Sequence, residues 1–472
     1  MTSCGSRSKR RSIARRRCPS RRIRHCSNAR SRYGFDPMNK APSLACLLAL
    51  LSAVLSSAHA QLRVEITSGV TDPIPVAVVP FEAARVLPVD LAGVVDANLR
   101  STGRFALLAR DRMPQRPATA EALDAAQWRA QRVDYVVVAR SRDGDGATVA
   151  IDYALVNVLT GQTLLNERLT GAATVPALRN LAHRLSDRVH ERMLGVRGAF
   201  ATRIAYVSVD GRPPSQRYQL IVADADGENA RVVLESRQPL MSPAWSADGE
   251  WLAYVSFEGR VSGIYVQRVR TGERRRVSAR LGINGAPAFS PDGKRLALTL
   301  SGSSGNLDIY TLDLATQTLS RITDDPAIDT EPEWSRDGAA LYFTSDRAGG
   351  PQIYRLQLAA GERARRVTFG SSYNARARLS PDGRQLAMVT LEGGAYRIAL
   401  QNLETGATTV LTKGRGDESP SFAPNGAVLM YAGRERGQDI LATVSADGLA
   451  TQRLKSDRGE VRDPAWGPFL SN

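Results

Sequence analysis

A seven-residue phrase returns through the C-terminal half of this chain at almost constant intervals, and so short a unit cannot bury a core alone. Pro287-Ala-Phe-Ser-Pro-Asp-Gly293 is preceded by Pro243-Ala-Trp-Ser-Ala-Asp-Gly249. It is followed by Pro332-Glu-Trp-Ser-Arg-Asp-Gly338, Arg376-Ala-Arg-Leu-Ser-Pro-Asp-Gly383, Pro420-Ser-Phe-Ala-Pro-Asn-Gly426 and the truncated Pro464-Ala-Trp-Gly-Pro468. Counted from each first residue, the intervals are 44, 45, 44, 44 and 44. Repeats of that length, each holding four short strands, are the mark of β-propeller blades. Asp292-Gly293 is a tight-turn pair, Arg295–Leu300 an alternating strand, and Leu307–Asp313 and Leu319–Thr323 supply two more.

The chain ends fix the blade count. Pro464–Leu470 offers one strand with nothing after it, whereas Arg203–Leu234 offers three strands with no Pro-x-Trp-Ser strand before them. Together they make one blade, so the sequence predicts a six-bladed propeller over residues 203–472, closed by the C-terminal strand. Closure removes the exposed sheet edges of an open stack.

Residues 1–37 hold twelve Lys and Arg against one acid, Asp36, and show no apolar periodicity. They read as a disordered, non-native extension of the chain. Met38-Asn-Lys40, the apolar run Ala41–Ser57 and the small-x-small triplet Ala58-His-Ala60 then form a signal peptide over residues 38–60, with cleavage between Ala60 and Gln61. The apolar run is shorter than the roughly 20 residues of a spanning helix. Export leaves 50 basic against 46 acidic groups, since residues 1–60 carry 13 of the 63 bases and one of the 47 acids. A net charge of +4 gives no support to nucleic-acid binding. All four cysteines, Cys4, Cys18, Cys26 and Cys46, leave with the same segment.

Residues 61–195 read as a mixed α/β domain, making the whole an α+β two-domain protein. Strands are expected at Leu62–Ile66, Val76–Phe81, Phe105–Leu108 and Val133–Ala139, with a hairpin of Thr148–Val158 and Gln162–Leu169. Helices are expected at Leu91–Leu99, capped by Asp90, at Thr119–Arg132, and at Val175–Leu194, where Leu178, Leu181, Ala182, Leu185, Val189 and Met193 form one stripe. Residues 196–202 are the linker.

Few residues carry chemistry. The exported chain has two histidines, His183 and His190, with no cysteine and no carboxylate pair close in sequence, which argues against a metal site. Asp143-Gly-Asp-Gly146 lacks the further ligands of a calcium loop and reads as a hairpin turn. There is no Gly-x-Ser-x-Gly elbow, and no catalytic residue or cofactor is expected. Each repeated aspartate is a turn former, and Trp245, Trp334 and Trp466 recur at one strand position as packing between blades. The segments before each Pro-x-Trp-Ser strand differ from one another: Gln238–Ser242, Leu281–Ala286, Ala327–Glu331, Ser371–Ala375, Gly416–Ser419 and Gly459–Asp463. They gather on one rim around the channel mouth and mix apolar with acidic groups, as suits a protein partner. Ordinary solvated loops would carry the same composition.

From Gln61 to Leu470 the chain resembles the TolB family of the Tol–Pal cell-envelope system of Gram-negative bacteria. The resemblance rests on Ser68-Gly-Val70, Val78-Val-Pro-Phe81, Gly198-Ala-Phe-Ala-Thr-Arg-Ile-Ala-Tyr206, Gln238-Pro-Leu-Met-Ser-Pro-Ala-Trp-Ser246 and Asn284-Gly-Ala-Pro-Ala-Phe-Ser-Pro-Asp-Gly293, together with the domain order. It implies a periplasmic adaptor, monomeric outside its complex, that supports outer-membrane integrity and constriction during cell division. The implied partners are the lipoprotein Pal and the C-terminal domain of TolA, with other outer-membrane proteins as further candidates. Carried over by position, the Pal face comprises Met241, Ile283, Asn284, Ala286, Thr330, Glu331, Asn374 and Glu418. The TolA segment comprises Leu62, Arg63, Val64, Glu65, Ile66, Thr67, Ser68, Gly69 and Val70. Ile283 stands where family members can carry a histidine, so a polar contact to Pal would be missing there. Ordering these nine N-terminal residues costs about 10 kcal/mol or more of backbone entropy. The segment would therefore dock on TolA's sheet or on its own protein, and Pal would shift that balance. A propeller hydrolase or lyase, or a small-ligand sensor, is the alternative reading.

Overall fold

The computed structural model describes residues 62–68, 70–302, 305–359, 361–435, 437–456 and 459–470. The extension, the signal peptide, its Ala60/Gln61 junction and Gly69 lie outside the described residues. Among the described residues no helix is long and apolar enough to cross a membrane.

The first strand, β1 (Leu62–Ser68), stands apart from the domain it precedes. The N-terminal domain is built on β2 (Ile74–Val78), β3 (Glu82–Ala83), β4 (Phe105–Leu107), β5 (Tyr135–Asp143), β6 (Thr148–Asn157) and β7 (Thr163–Ala172). The sheet runs β4-β2-β5-β6-β7, with β3 also paired to β5, parallel about β2 and antiparallel from β5 onward. Its strands are apolar on both faces because both faces are covered. Val76 and Val78 pack with α1 (Leu91–Ser101) and α3 (Val175–Leu194), whereas Ala77 and Val79 pack with Trp128 of α2 (Ala125–Ala130).

The helix ends follow local chemistry. Asp90 Oδ1 accepts from Gly93 N at 3.0 Å and starts α1. The helix expected over Thr119–Arg132 is confined to Ala125–Ala130, because the Asp124 carboxylate accepts from Ala126 N at 3.0 Å and caps there. The residues before it turn instead, with Leu123 N donating to Ala120 O. Gly195 ends α3 in the left-handed region at φ 73, which a side chain would resist.

The six predicted blades are present. Blade 1 joins Glu460–Trp466 to Arg203–Asp210, Arg217–Asp224 and Arg231–Ser236. Blades 2 to 6 begin with the innermost strands Leu240–Trp245, Asn284–Phe289, Asp329–Trp334, Asn374–Leu379 and Glu418–Phe422. Six apolar clusters lie between successive blades and return to the start, the last joining Ile204 and Val461 of blade 1 to Met430 and Leu441 of blade 6. The tryptophans reach across these seams: Trp334 Nε1 donates to Ala288 O at 3.1 Å and Trp245 Nε1 to Ala465 O at 3.0 Å. The repeated aspartates are turn formers. Asp292 Oδ1 accepts from Ser290 Oγ and from Lys294 N at 3.1 Å, and Asp248, Asp337 and Asp382 do the same in their blades.

β1 departs from the expected domain boundary. It is the fifth strand of blade 6, antiparallel to Thr451–Ser456, with Leu62 opposite Ser456, Val64 opposite Leu454 and Ile66 opposite Gln452. The physical reason is the free edge that the outermost strand of a blade otherwise presents.

In a four-stranded antiparallel blade the links between strands 2 and 3 and from strand 4 to the next blade share one face of the disc, and the other turns share the opposite face. The N-terminal domain sits on the latter. Arg104 pairs with Asp447, Arg179 with Asp226, and Asn425 Nδ2 donates to Arg197 O at 3.0 Å; all three blade residues lie in those turns.

Asp187 of α3 holds the linker: Oδ1 accepts from Phe200 N at 2.8 Å and Oδ2 from Ala201 N at 3.3 Å. Burial raises its pKa to about 7, with these two hydrogen bonds acting the other way. A carboxyl with a raised folded-state pKa contributes stability at low pH, and that contribution is lost as pH rises from about 4 through 7. Asp187→Asn keeps an acceptor and removes the charge. Its stability relative to wild type is expected to rise over that window by a few kcal/mol, at about 1.4 kcal/mol per tenfold in proton affinity. Urea unfolding at pH 4.5 and pH 8 measures the difference, and a pH-independent gap refutes it.

Candidate partner-binding face

The face away from the N-terminal domain carries the loops that lead into each innermost strand. Five of these six strands share a sequence feature whose consequence is visible only in three dimensions: a proline at the third, fourth or fifth position, Pro243, Pro287, Pro332, Pro420 and Pro464. A proline cannot donate to a ladder and is tolerated inside a sheet at a bulge. Each innermost strand slips by one residue, the proline-free Asn374–Leu379 included, between Met241 and Ala244, Gly285 and Ala288, Thr330 and Glu333, Ala375 and Arg378, Glu418 and Ser421, and Arg462 and Ala465. The residue at each bulge has a positive φ: Ser242 52, Ala286 46, Glu331 57, Arg376 56, Ser419 54 and Asp463 49. Six non-glycine residues thus stand in left-handed geometry at equivalent places around the channel mouth.

Hydrogen bonds from blade to blade hold this ring. Glu331 N donates to Thr299 Oγ1 at 3.2 Å, Arg376 N to Glu331 Oε2 at 3.0 Å, and Ser242 N to Asp463 Oδ2 at 3.4 Å. Arg376 is the central cation. Its Nε donates to Glu331 Oε1 at 2.9 Å, its Nη1 to Ser419 Oγ, and Nη1 lies 3.6 Å from Asp463 Oδ1. Burial works against its charge, but Glu331, Asp463 and Glu418 outweigh that and raise its pKa above the usual arginine value.

Apolar side chains surround the ring on the same face. Leu281 is 92% exposed and Phe369 67%, and Met241, Val261, Ile283, Ile328 and Tyr396 are also exposed. Tyr396 packs edge-on against Tyr373 with ring centroids 5.0 Å apart. The rim is rigidly held: Ile283 N donates to Ser301 Oγ and Ile328 N to Asp346 Oδ1, both at 2.8 Å. Gly282, at φ 87, lies so close to Ser301 Oγ that a Cβ would collide with it.

The eight positions assigned to this face are not equivalent. Met241, Ile283 and Glu418 are exposed, Ala286 and Thr330 are half-buried, and Glu331 spends its carboxylate on Arg376. Asn284 and Asn374 are buried. Asn284 Oδ1 accepts from Ser278 Oγ and Arg280 N while Nδ2 donates to Arg280 O, and Asn374 Nδ2 donates to Gln352 Oε1. These two side chains shape the loops from beneath. Arg376 and Phe369 were missed by the sequence reading, which placed Leu281 in a rim segment without assigning it to the partner face; the proline in five of the six repeats was the available signal for the bulge ring. Between the N-terminal domain and blade 6, on the other side of the disc, lies an open apolar cleft of about 340 Å³, bordered by Phe200, Leu194, Val428, Leu454 and His190.

Comparison with known proteins places the architecture. A family profile described as the TolB beta propeller domain matches residues 190–470, and one described as the TolB amino-terminal domain matches residues 62–164. The chain belongs to the TolB family. The Tol-Pal system protein TolB of Xylella fastidiosa (strain Temecula1) is 44% identical over 92% of this chain and 100% of its own length. That of Xanthomonas euvesicatoria pv. vesicatoria is 44% identical over 90% of this chain and 98% of its own. The crystal structure of TolB from Acinetobacter baumannii superposes with a TM-score of 0.80 at 40% identity, covering 86% of this chain and 100% of that one. These relatives are named as components of the Tol-Pal system and not as enzymes, and this chain is read as a non-enzymatic member.

Removing the Arg376 charge leaves Glu331 and Asp463 without the cation they share. Because the Arg376 side chain remains 33% exposed, the cost of Arg376→Met is expected at about 2–3 kcal/mol, below the 3–5 of a fully buried pair. Adding Glu331→Gln should recover part of it in a double-mutant cycle followed by urea unfolding. Strict additivity of the two losses would show that the pair does not interact.

Proposed function

We propose that this TolB-family chain is a periplasmic adaptor that binds Pal through the loop face and the C-terminal domain of TolA through the segment Leu62–Val70. In this reading it is exported by cleavage after Ala60, carries no cofactor, and supports outer-membrane integrity and constriction at division. The observation that carries it is the loop face itself. An exposed apolar rim surrounds a polar ring, on the side of the disc that the N-terminal domain leaves uncovered. Exposed apolar residues ringed by polar ones are characteristic of protein-binding surfaces.

β1 supports the second contact. It is held as an added fifth strand, a mode of association that another sheet can offer equally well. A segment that must compensate its ordering entropy by edge pairing is a natural candidate for exchange between its own blade and TolA. Pal bound at the loop face would then alter the free energy of that docking.

Calorimetry of residues 61–472 with Pal from the same organism tests the face. Ile283→Asp and Phe369→Ala place changes on exposed rim residues, so folding should survive while affinity falls more than tenfold. Wild-type chain that fails to bind Pal would return attention to the enzyme and small-ligand readings, the latter favoured by the apolar cleft. For the segment, hydrogen exchange of Leu62–Ser68 should change on adding Pal, and identical protection with and without Pal removes the proposed coupling.

A further inference from the structure

The sequence argument against a metal site was that His183 has no carboxylate pair near it in the chain. The fold supplies one. Asp224 ends the third strand of blade 1 and Asp226 lies in the turn after it, and docking of the N-terminal domain sets both against α3. His183 is 2% exposed, and its Nε2 is buried without a hydrogen-bond partner. It points at Asp224 Oδ2, 3.8 Å away, and Asp226 Oδ2, 3.7 Å away. The three ligand atoms lie within 4.8 Å of one another.

These separations are too long for hydrogen bonds. They are close to the spacing of ligands around a small cation. Zinc bound to nitrogen and oxygen at about 2.0–2.1 Å sets tetrahedral ligands about 3.3 Å apart, so each carboxylate would approach by about half an ångström. The carboxylate side chains are 23% and 25% exposed, and the approach requires Asp224 Oδ2 to share the hydrogen bond it accepts from Asn229 Nδ2 at 2.6 Å. We propose that His183, Asp224 and Asp226 form a zinc site that ties the N-terminal domain to the first blade.

The surroundings fit a ligand histidine. Asn98 Nδ2 lies 3.0 Å from His183 Nδ1 and donates to Ser186 Oγ at 2.9 Å, while Ser186 Oγ donates to Ala182 O at 2.8 Å. Metal at Nε2 requires the opposite amide orientation, in which Asn98 Oδ1 accepts the Nδ1 proton and Ser186 Oγ turns its hydrogen from Ala182 O to the amide oxygen. One imidazole with two carboxylates suits zinc better than calcium, which takes six to eight oxygens. Arg179 is the built-in competitor. Its Nη2 pairs with Asp226, and its buried Nε lies 4.0 Å from Asp224 Oδ2 without a hydrogen bond. A bound cation must share Asp226 with it, so the site is tuned below the affinity of an uncontested one.

The chain itself makes a clean test. Residues 61–472 contain no cysteine and no histidines besides His183 and His190. Untagged, chelator-treated protein is titrated with zinc chloride by calorimetry, with calcium chloride in parallel, and melted at increasing zinc. One zinc per chain is expected, with a melting temperature that rises with zinc concentration and an X-ray absorption spectrum showing a single imidazole in the first shell. His183→Gln should weaken binding at least tenfold, His190→Gln should leave it unchanged, and Arg179→Gln should tighten it severalfold. If His183→Gln does not fold, the Arg179→Gln titration and the absorption spectrum decide. Zinc bound equally well by His183→Gln, calcium bound in its place, or no saturable zinc in wild type and Arg179→Gln alike overturns the site.

Discussion

Everything in the larger domain depends on one strand pairing, that of Glu460–Trp466 with Arg203–Asp210. A propeller blade buries its faces only against neighbours, so six sheets form a stable disc only when the last meets the first. Here the two ends of the propeller sequence share one sheet, and Val461 enters the same cluster as Ile204, Met430 and Leu441. Trp466 Nε1 donates to Thr202 Oγ1 at 2.9 Å and Gly467 N to Arg203 O at 2.8 Å, so the closing strand also anchors the linker. Closure therefore fixes the ring and the point at which the N-terminal domain is attached.

The bulge ring shows how a repeating scaffold acquires a non-repeating site. A non-glycine residue in left-handed geometry costs about 1–2 kcal/mol, and here that cost recurs in all six blades. Hydrogen bonds across the seams offset it, and the bulge turns one side chain per blade toward the channel mouth. The backbone solution is the same six times, yet the residues are Ser242, Ala286, Glu331, Arg376, Ser419 and Asp463. Architecture is thus carried by the proline and turn positions, and chemistry by the residue just before them.

This division explains what could be read from the chain. The period near 44, the blade count, the Asp-Gly turns, the capped helix at Asp90 and the α3 stripe are local or repeating patterns, and each is found in the fold. The helix around Trp128 was overextended because composition favoured it while Asp124 stopped it. Asn284 and Asn374 lie in the strands that open onto the loop face, but their burial depends on Ser278, Arg280 and Gln352, whose approach no linear pattern encodes. The pairing of β1 with Thr451–Ser456 spans almost the whole chain, and the convergence of His183 with Asp224 and Asp226 requires two domains to dock. Alternation in Leu62, Val64 and Ile66 says strand without saying which edge.

Blade 6 links the two regions on which the proposed function rests. Its innermost strand begins at Glu418 and Ser419 on the loop face, and its outermost strand carries β1. The strands between them, Val428–Glu435 and Gln438–Ser445, are paired along their length. A hydrogen-bonded sheet resists shear between its strands more than it resists tilting as a whole, because sliding breaks ladder bonds while tilting only repacks the seams with blades 1 and 5. A partner that pulls on Glu418 would therefore move the edge that holds β1. The loop face and the outer edge of the disc are in this way two parts of one element, without any chain of side-chain contacts through the core.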